Sequence, residues 1–220
     1  RVTTLVDPDD YVTVIEQIQN SGKTTLELRK KLAAKVYNHT SQYDRVITSY
    51  LNDDSKNETV LGDPFTSIDL EKDSTLRYGE NPHQDAVLYK ISSPNFDNFN
   101  FSKLSGKELS YNNLVDVDCA HSCVQQFSKP ACVIVKHANP CGVSESSSIE
   151  LAYQRSFKCD PISSFGGIIA INRRLTTRLL AKILNKQFVE VIVAPSTDKA
   201  CLSALKKKPN VRLLVIKKTQ

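Results

Sequence analysis

An α/β protein, layered and with a largely parallel sheet between flanking helices, preceded by a purely helical segment, is the fold class the sequence predicts. Three observations predict it. Short apolar, β-branched runs alternate with helical periodicity from about residue 86 onward, residues 1–51 carry helical periodicity alone, and a polar stretch, 52–74, lies between them.

The helical segment opens on Asp7-Pro8-Asp9-Asp10, a capping carboxylate before a proline suited to the first helical position, so a helix is expected over 8–20. Ser21-Gly22-Lys23 breaks it. Thr24-Thr25-Leu26-Glu27 reads as a capping box for a second helix, whose Leu28, Leu32, Val36, Tyr43, Ile47 and Tyr50 recur at helical spacing and predict one buried stripe ending near Leu51. Rich in Asp, Asn, Ser and Thr, 52–74 is the expected linker, giving domains over 1–51 and 75–220. Beyond it, strands are predicted over 86–91, 131–135, 167–171, 189–193 and 211–216. Helices are predicted over 114–127, 149–157 (capped by Ser147 with Glu150), 177–184 and 198–206.

Composition narrows the function classes. Forty per cent of the 220 residues are hydrophobic, enough for a core, and the net charge of +5 is spread along the chain rather than gathered into the dense basic patch of a nucleic-acid binder. Apolar runs fall well short of the ~18 residues of a membrane span, and the first eight residues lack a signal peptide's pattern, so a cytoplasmic protein is expected. Six cysteines without a CxxC pair predict reduced thiols. A chain that starts at Arg1 and holds no methionine is expected to be a piece of a longer protein.

Three segments could carry chemistry. In Val135-Lys136-His137-Ala138-Asn139-Pro140-Cys141-Gly142, polar residues follow a buried strand, and the carboxyl ends of parallel strands are where α/β ligands collect. His137 can accept a proton near neutral pH and Lys136 can stabilise developing negative charge, while Asn-Pro and Cys-Gly predict a turn with free amides. In Leu76-Arg77-Tyr78-Gly79-Glu80-Asn81-Pro82-His83-Gln84, the arginine suits a phosphate and the tyrosine a heterocycle. Ser163-Ser164-Phe165-Gly166-Gly167 lets a ligand approach the backbone closely, and Asn112-Asn113 reads first as a helix cap. Surface turns and caps explain each of these equally well when taken singly.

Together with Leu109-Ser110-Tyr111-Asn112-Asn113-Leu114, Asp160-Pro161-Ile162-Ser163-Ser164-Phe165-Gly166-Gly167 and Phe188-Val189-Glu190-Val191-Ile192-Val193-Ala194-Pro195, the segments resemble, in order and spacing, the bacterial bifunctional AICAR transformylase/IMP cyclohydrolase family. Val6 to Tyr11 and His39 to Asp44 are similar to the end of that family's cyclohydrolase domain. The resemblance implies a cytidine-deaminase-like transformylase portion without zinc, a homodimer, and formyl transfer from 10-formyltetrahydrofolate to the 5-amino group of AICAR in purine biosynthesis. It also implies that His137 is the proton acceptor, that Lys136 stabilises the transition state, and that Arg77, Tyr78, Asn113, Phe165, Gly166 and Glu190 bind the ribonucleotide. By the same resemblance the cyclohydrolase residues lie ahead of Arg1 and the folate site beyond Gln220, so the 220 residues alone are expected to be inactive.

Two other classes compete. A non-catalytic nucleotide-binding module would need Arg77 and the glycine loop but not Lys136 and His137. A zinc deaminase would use His137 and Cys141, but Asn139 stands where such enzymes carry glutamate and no second cysteine follows at the required spacing, so no metal is expected.

Overall fold

The computed structural model describes residues 2–52, 68, 70–91 and 100–216, which fall into two compact units, Arg1–Thr66 and Ser67–Gln220. In the first, Asp7 accepts from the Asp9 amide at 3.0 Å and caps a 3-10 turn, Pro8–Asp10, that runs into α1 (Tyr11–Ser21). Gly22, at φ 70°, ends α1. The next helix, α2 (Leu26–Asn52), is capped by Thr25, whose hydroxyl accepts from the Leu28 amide at 3.2 Å; Thr24 instead turns inward to the Thr3 hydroxyl at 2.7 Å. Lys35 of α2 pairs with both Asp7 and Asp10 at 2.6 Å, and its ammonium holds the Asp7 carboxyl below the usual carboxylate range.

The predicted apolar stripe of α2 is buried over only part of its length. Leu32 is covered, whereas Tyr43, Ile47 and Tyr50 are exposed. Length explains it: α1 has 11 residues and α2 has 27, so at ~1.5 Å per residue α2 outruns α1 by roughly 24 Å.

The second unit begins with an antiparallel hairpin, β1 (Leu70–Thr75) and β2 (Val87–Ile91). Strand β1 lies in the stretch whose composition reads as linker. Five of its six residues are exposed, so it has no buried face to impose alternation, and it is tied across the hairpin by the Asp73–Lys90 pair.

Six strands then form a sheet in the order β3-β8-β7-β6-β4-β5: β3 (Ser102–Ser105), β4 (Ala131–Lys136), β5 (Asn139–Glu145), β6 (Ile168–Ile171), β7 (Val191–Ala194) and β8 (Arg212–Val215). This sheet is mixed rather than largely parallel. Only β6–β7 and β7–β8 are parallel; β3–β8, β4–β5 and β4–β6 are antiparallel. The reversal originates in the β4–β5 hairpin, because β5 occupies residues read from sequence as a turn.

Alternation along the central strands divides the core. Ile134, Ile169, Ile192 and Leu213 face α4 (Ile149–Cys159), α5 (Thr177–Lys186) and α6 (Lys199–Leu205), whereas Val133, Val135, Ala170, Val193 and Leu214 face α3 (Tyr111–Gln125). Two further caps differ by one or more residues from expectation. Ser110 caps α3 in a reciprocal box with Asn113, and Ser148, not Ser147, caps α4.

Candidate active site

Pairing of Val135 with Ile168 sets the carboxyl end of β4 beside the amino end of β6, and β7 and β8 run parallel to β6. Lys136 and His137 therefore lie at the amino ends of the three parallel strands, not at their carboxyl ends. Phe165 and Gly166 precede β6 on this same edge, Glu190 precedes β7, and Arg212 begins β8.

The turn sits two residues earlier than expected. Lys136 pairs with Asn139, leaving His137 (φ 54°) and Ala138 (φ 56°) as the two central residues of a tight hairpin turn of the I′ kind. Two left-handed residues other than glycine cost about 1–2 kcal/mol each. Offsetting this, Asp116 of α3 accepts from the His137 amide at 3.2 Å and from the Ala138 amide at 2.6 Å, and amide bonds to a charged group are worth about 1.5–3 kcal/mol before solvent screening. The amides of the turn thus face a carboxylate and form no oxyanion pocket. Pro140 follows in β5, an edge strand where a missing N–H is tolerated, and Cys141 is the extra residue of a bulge.

Helix α3 also anchors the Arg77–Tyr78 loop. The Arg77 amide donates to Leu109 O at 2.8 Å, the Tyr111 amide donates to Tyr78 O at 3.0 Å, and Asn112 Nδ2 donates to Glu80 O at 2.9 Å. The exposed Arg77 guanidinium lies over the Tyr78 ring, 5.5 Å from its centre. From the third helical position, Asn113 closes the Ser110 cap and donates Nδ2 to Glu190 Oε2 at 3.1 Å, so it serves as cap and contact together.

The glycine loop is held from both sides. Asp160 Oδ1 accepts from the Ile162 and Ser163 amides at 3.1 and 2.9 Å, and Oδ2 accepts from the Ser163 hydroxyl at 2.5 Å. The Gly166 amide donates to Phe188 O at 2.9 Å, its φ of 76° suiting glycine, and the Phe165 and Phe188 rings stand 5.6 Å apart. Lys136 Nζ donates to Phe165 O at 2.9 Å and so ties the loop to the end of β4. Beside Phe165 opens a cleft of about 610 Å³ lined by Phe157, Phe188, Lys186, Lys207 and Lys208, which neither Lys136 nor His137 lines.

The bond from the Ser163 hydroxyl, then that from its amide, holds the Asp160 carboxyl below the usual carboxylate range. A depressed carboxylate contributes order that is complete above its ordinary pKa of about 3.9 and lost as pH falls through the lower folded value. Asp160→Ala is expected to speed amide hydrogen exchange over 162–166 several-fold at neutral pH, with Asp160→Asn intermediate, and the wild-type difference should vanish in strong acid. Equal exchange in all three proteins would show that the carboxylate does not order the loop.

Charge draws the edge together. Arg212, 5% exposed, donates Nε and Nη2 to Glu108 O at 3.1 and 3.0 Å. Burial pushes its guanidinium pKa down, the Glu190 carboxylate opposes that, and the Arg77 charge reinforces it, so Arg77, Glu190 and Arg212 share one electrostatic neighbourhood.

Lys136 thus meets Phe165, Asn113 meets Glu190, and Arg77–Tyr78 dock on the amino end of α3, which also holds the His137 turn. Sequence reasoning missed Asp116, Asp160 and Arg212. A charged residue inside the apolar run Val211–Ile216 was a legible signal for Arg212; nothing local marked Asp116, whose partners are 21 and 22 residues away. Burial raises the Cys141 thiol pKa and Asp160 adds to it, an environment that disfavours a thiolate nucleophile. Among the described residues no three His, Cys, Asp or Glu side chains are grouped as metal ligands.

Comparison with known proteins follows the same outline. All of residues 1–220 match the family model described as AICARFT/IMPCHase bienzyme. The bifunctional purine biosynthesis protein PurH of Bacillus cytotoxicus is 44% identical over 216 residues, covering 98% of this chain and 42% of the relative. That of Persephonella marina is 47% identical over 220 residues, again 98% of this chain and 42% of the relative. The chain therefore spans less than half the length of these relatives. With its full length matched by one family model and its motifs gathered along one sheet edge, the chain belongs to the AICARFT/IMPCHase bienzyme family.

Proposed function

We propose that the protein containing this chain transfers the formyl group of 10-formyltetrahydrofolate to the 5-amino group of AICAR and closes the product to IMP, in purine biosynthesis. In this reading 75–220 is part of a cytidine-deaminase-like transformylase domain, 52–74 is a linker and 1–51 ends the cyclohydrolase domain. The protein works as a cytoplasmic homodimer without metal, nucleic acid or membrane.

An aromatic amine is a weak nucleophile, so the reaction needs its proton removed while charge on the formyl oxygen is stabilised. His137 takes that proton as the amine nitrogen bonds to the formyl carbon. Lys136 stabilises the oxyanion of the tetrahedral intermediate, whose collapse breaks the bond to N10 of the folate, and N10 leaves with a proton. Arg77 holds the phosphate, Tyr78 covers the heterocycle, and Asn113, Phe165, Gly166 and Glu190 line the nucleotide site.

One observation carries this reading: the 2.9 Å bond from Lys136 Nζ to Phe165 O, which joins the strand end bearing the imidazole to the nucleotide-binding glycine loop. In the full-length protein, Lys136→Met is expected to lower kcat for formyl transfer by about 10²–10³-fold, the scale of losing one oxyanion donor. Ribonucleotide affinity should fall far less than turnover, since Lys136 is assigned no direct contact with the nucleotide and reaches its site only through Phe165 O. A kcat equal to the parent's would defeat the assignment.

A further inference from the structure

We infer that Asp116 is a positioning residue for His137, holding the backbone from which the imidazole projects. The inference rests on the reading of His137 as the proton acceptor.

Asn113, Asp116 and Cys119 recur every third residue on α3 and so share one face of the helix. Each makes a contact with the opposing sheet edge. Asn113 holds Glu190 at 3.1 Å; Asp116 takes the His137 amide on one oxygen and the Ala138 amide on the other; Cys119 Sγ donates to Ala138 O at 3.3 Å. Ala138 therefore has both its amide and its carbonyl tied to α3, and His137 has its amide tied there. A fourth contact, Asn139 Nδ2 to His137 O at 2.9 Å, closes the turn from its own strand.

The need for such a clamp follows from the backbone. His137 and Ala138 lie at φ 54° and 56° without glycine's freedom, and a turn of this geometry favours Asn-Gly. Held from outside, the turn fixes the Cα–Cβ direction of His137. Released, it can relax to ordinary φ values that swing the imidazole out of its held position while the rest of the sheet stays folded. Asp116 touches no reacting atom in this scheme, so its effect must pass through His137.

A double-mutant cycle in the full-length protein tests this, with formyl-transfer kcat, ribonucleotide KM and amide hydrogen exchange measured for each variant. Asp116→Ala, which keeps neither acceptor, is expected to lower kcat about 10²-fold, the scale of an ~1 Å misplacement, with KM within about threefold. Asp116→Asn keeps one acceptor oxygen and should fall between Ala and parent; Asp116→Glu, with both oxygens on a longer stem, should recover most of the rate. Exchange at the His137 and Ala138 amides should rise in the same order. Asp118→Asn, the same charge change at an exposed site two residues along, should match the parent. In the His137→Ala background, Asp116→Ala should cost nothing further.

An equal loss of kcat from Asp116→Ala with and without the imidazole would overturn the positioning role while leaving His137 catalytic. A His137→Ala protein with parental turnover would instead remove the reading of His137, and the inference with it. Should Asp116→Ala not fold, the Asp116→Asn arm of the cycle decides, and unchanged exchange in the turn with parental kcat overturns the inference.

Discussion

Replacing His137 with alanine in the full-length protein is expected to lower formyl-transfer turnover by about 10²–10⁴-fold, the usual contribution of a positioned general base. Ribonucleotide affinity should change by no more than about threefold, because the groups assigned to hold the nucleotide belong to other segments. The imidazole is exposed, so its removal cannot open a core cavity, and alanine meets the same left-handed φ without glycine's freedom, as histidine does, so the change in stability should be no more than about 1 kcal/mol. A loss of rate would therefore report chemistry rather than unfolding. Parental turnover would show that His137 is not the proton acceptor, leaving this turn at most a part in binding.

Gly142→Ala should have the largest effect on stability. A Cβ at this position would stand 2.0 Å from the Ser156 carbonyl oxygen and 2.8 Å from its carbon, both backbone atoms of α4. Helix α4 cannot easily withdraw, because the Ser156 hydroxyl is itself bonded to Cys132 O at 2.6 Å in the fully buried interior. Overpacking ordinarily costs about 1–3 kcal/mol, and with an unyielding neighbour the upper end or beyond is expected. At ~2–4 °C per kcal/mol for a folding unit of roughly 150 residues, the melting transition of the unit that holds Gly142 should fall by roughly 10 °C. A thermal melt followed by circular dichroism checks this; a midpoint within a degree of the parent's would mean that α4 slides off β5 almost freely.

The legibility of the fold largely tracked burial, β2 being the exception, since its alternation was readable although none of its residues is buried. β4, β6, β7 and β8 were read from apolar runs because both faces of each meet helices, and each of the four has at least three buried residues. β1 and β3 escaped because their residues are mostly exposed or half-buried and follow no apolar pattern. β5 escaped because Asn139, Pro140 and Gly142 are turn formers in isolation; here Pro140 takes an edge position needing no donor and Gly142 makes room for α4. Missing β5 concealed the reversal of β4 and missing β3 concealed its antiparallel pairing with β8, and together they produced the mistaken expectation of a largely parallel sheet. The candidate site residues stand on distinctive motifs, whereas the carboxylates that hold those segments in place do not. Asp116 and Asp160 act on backbone amides, and a side chain's choice of amide depends on tertiary geometry that no spacing rule encodes.

Pro140 and the bulge at Cys141 affect more than the hairpin they deform. A straight outer strand would offer an uninterrupted row of donors and acceptors to any other chain in extended form, the geometry from which fibrils and unwanted oligomers grow. Here the row lacks one donor and is put out of step at the next residue. Among the described residues β5 ends the sheet, and there the irregularity beside the His137 turn also discourages polymerisation; a variant with a regular strand in its place should be markedly less soluble on storage.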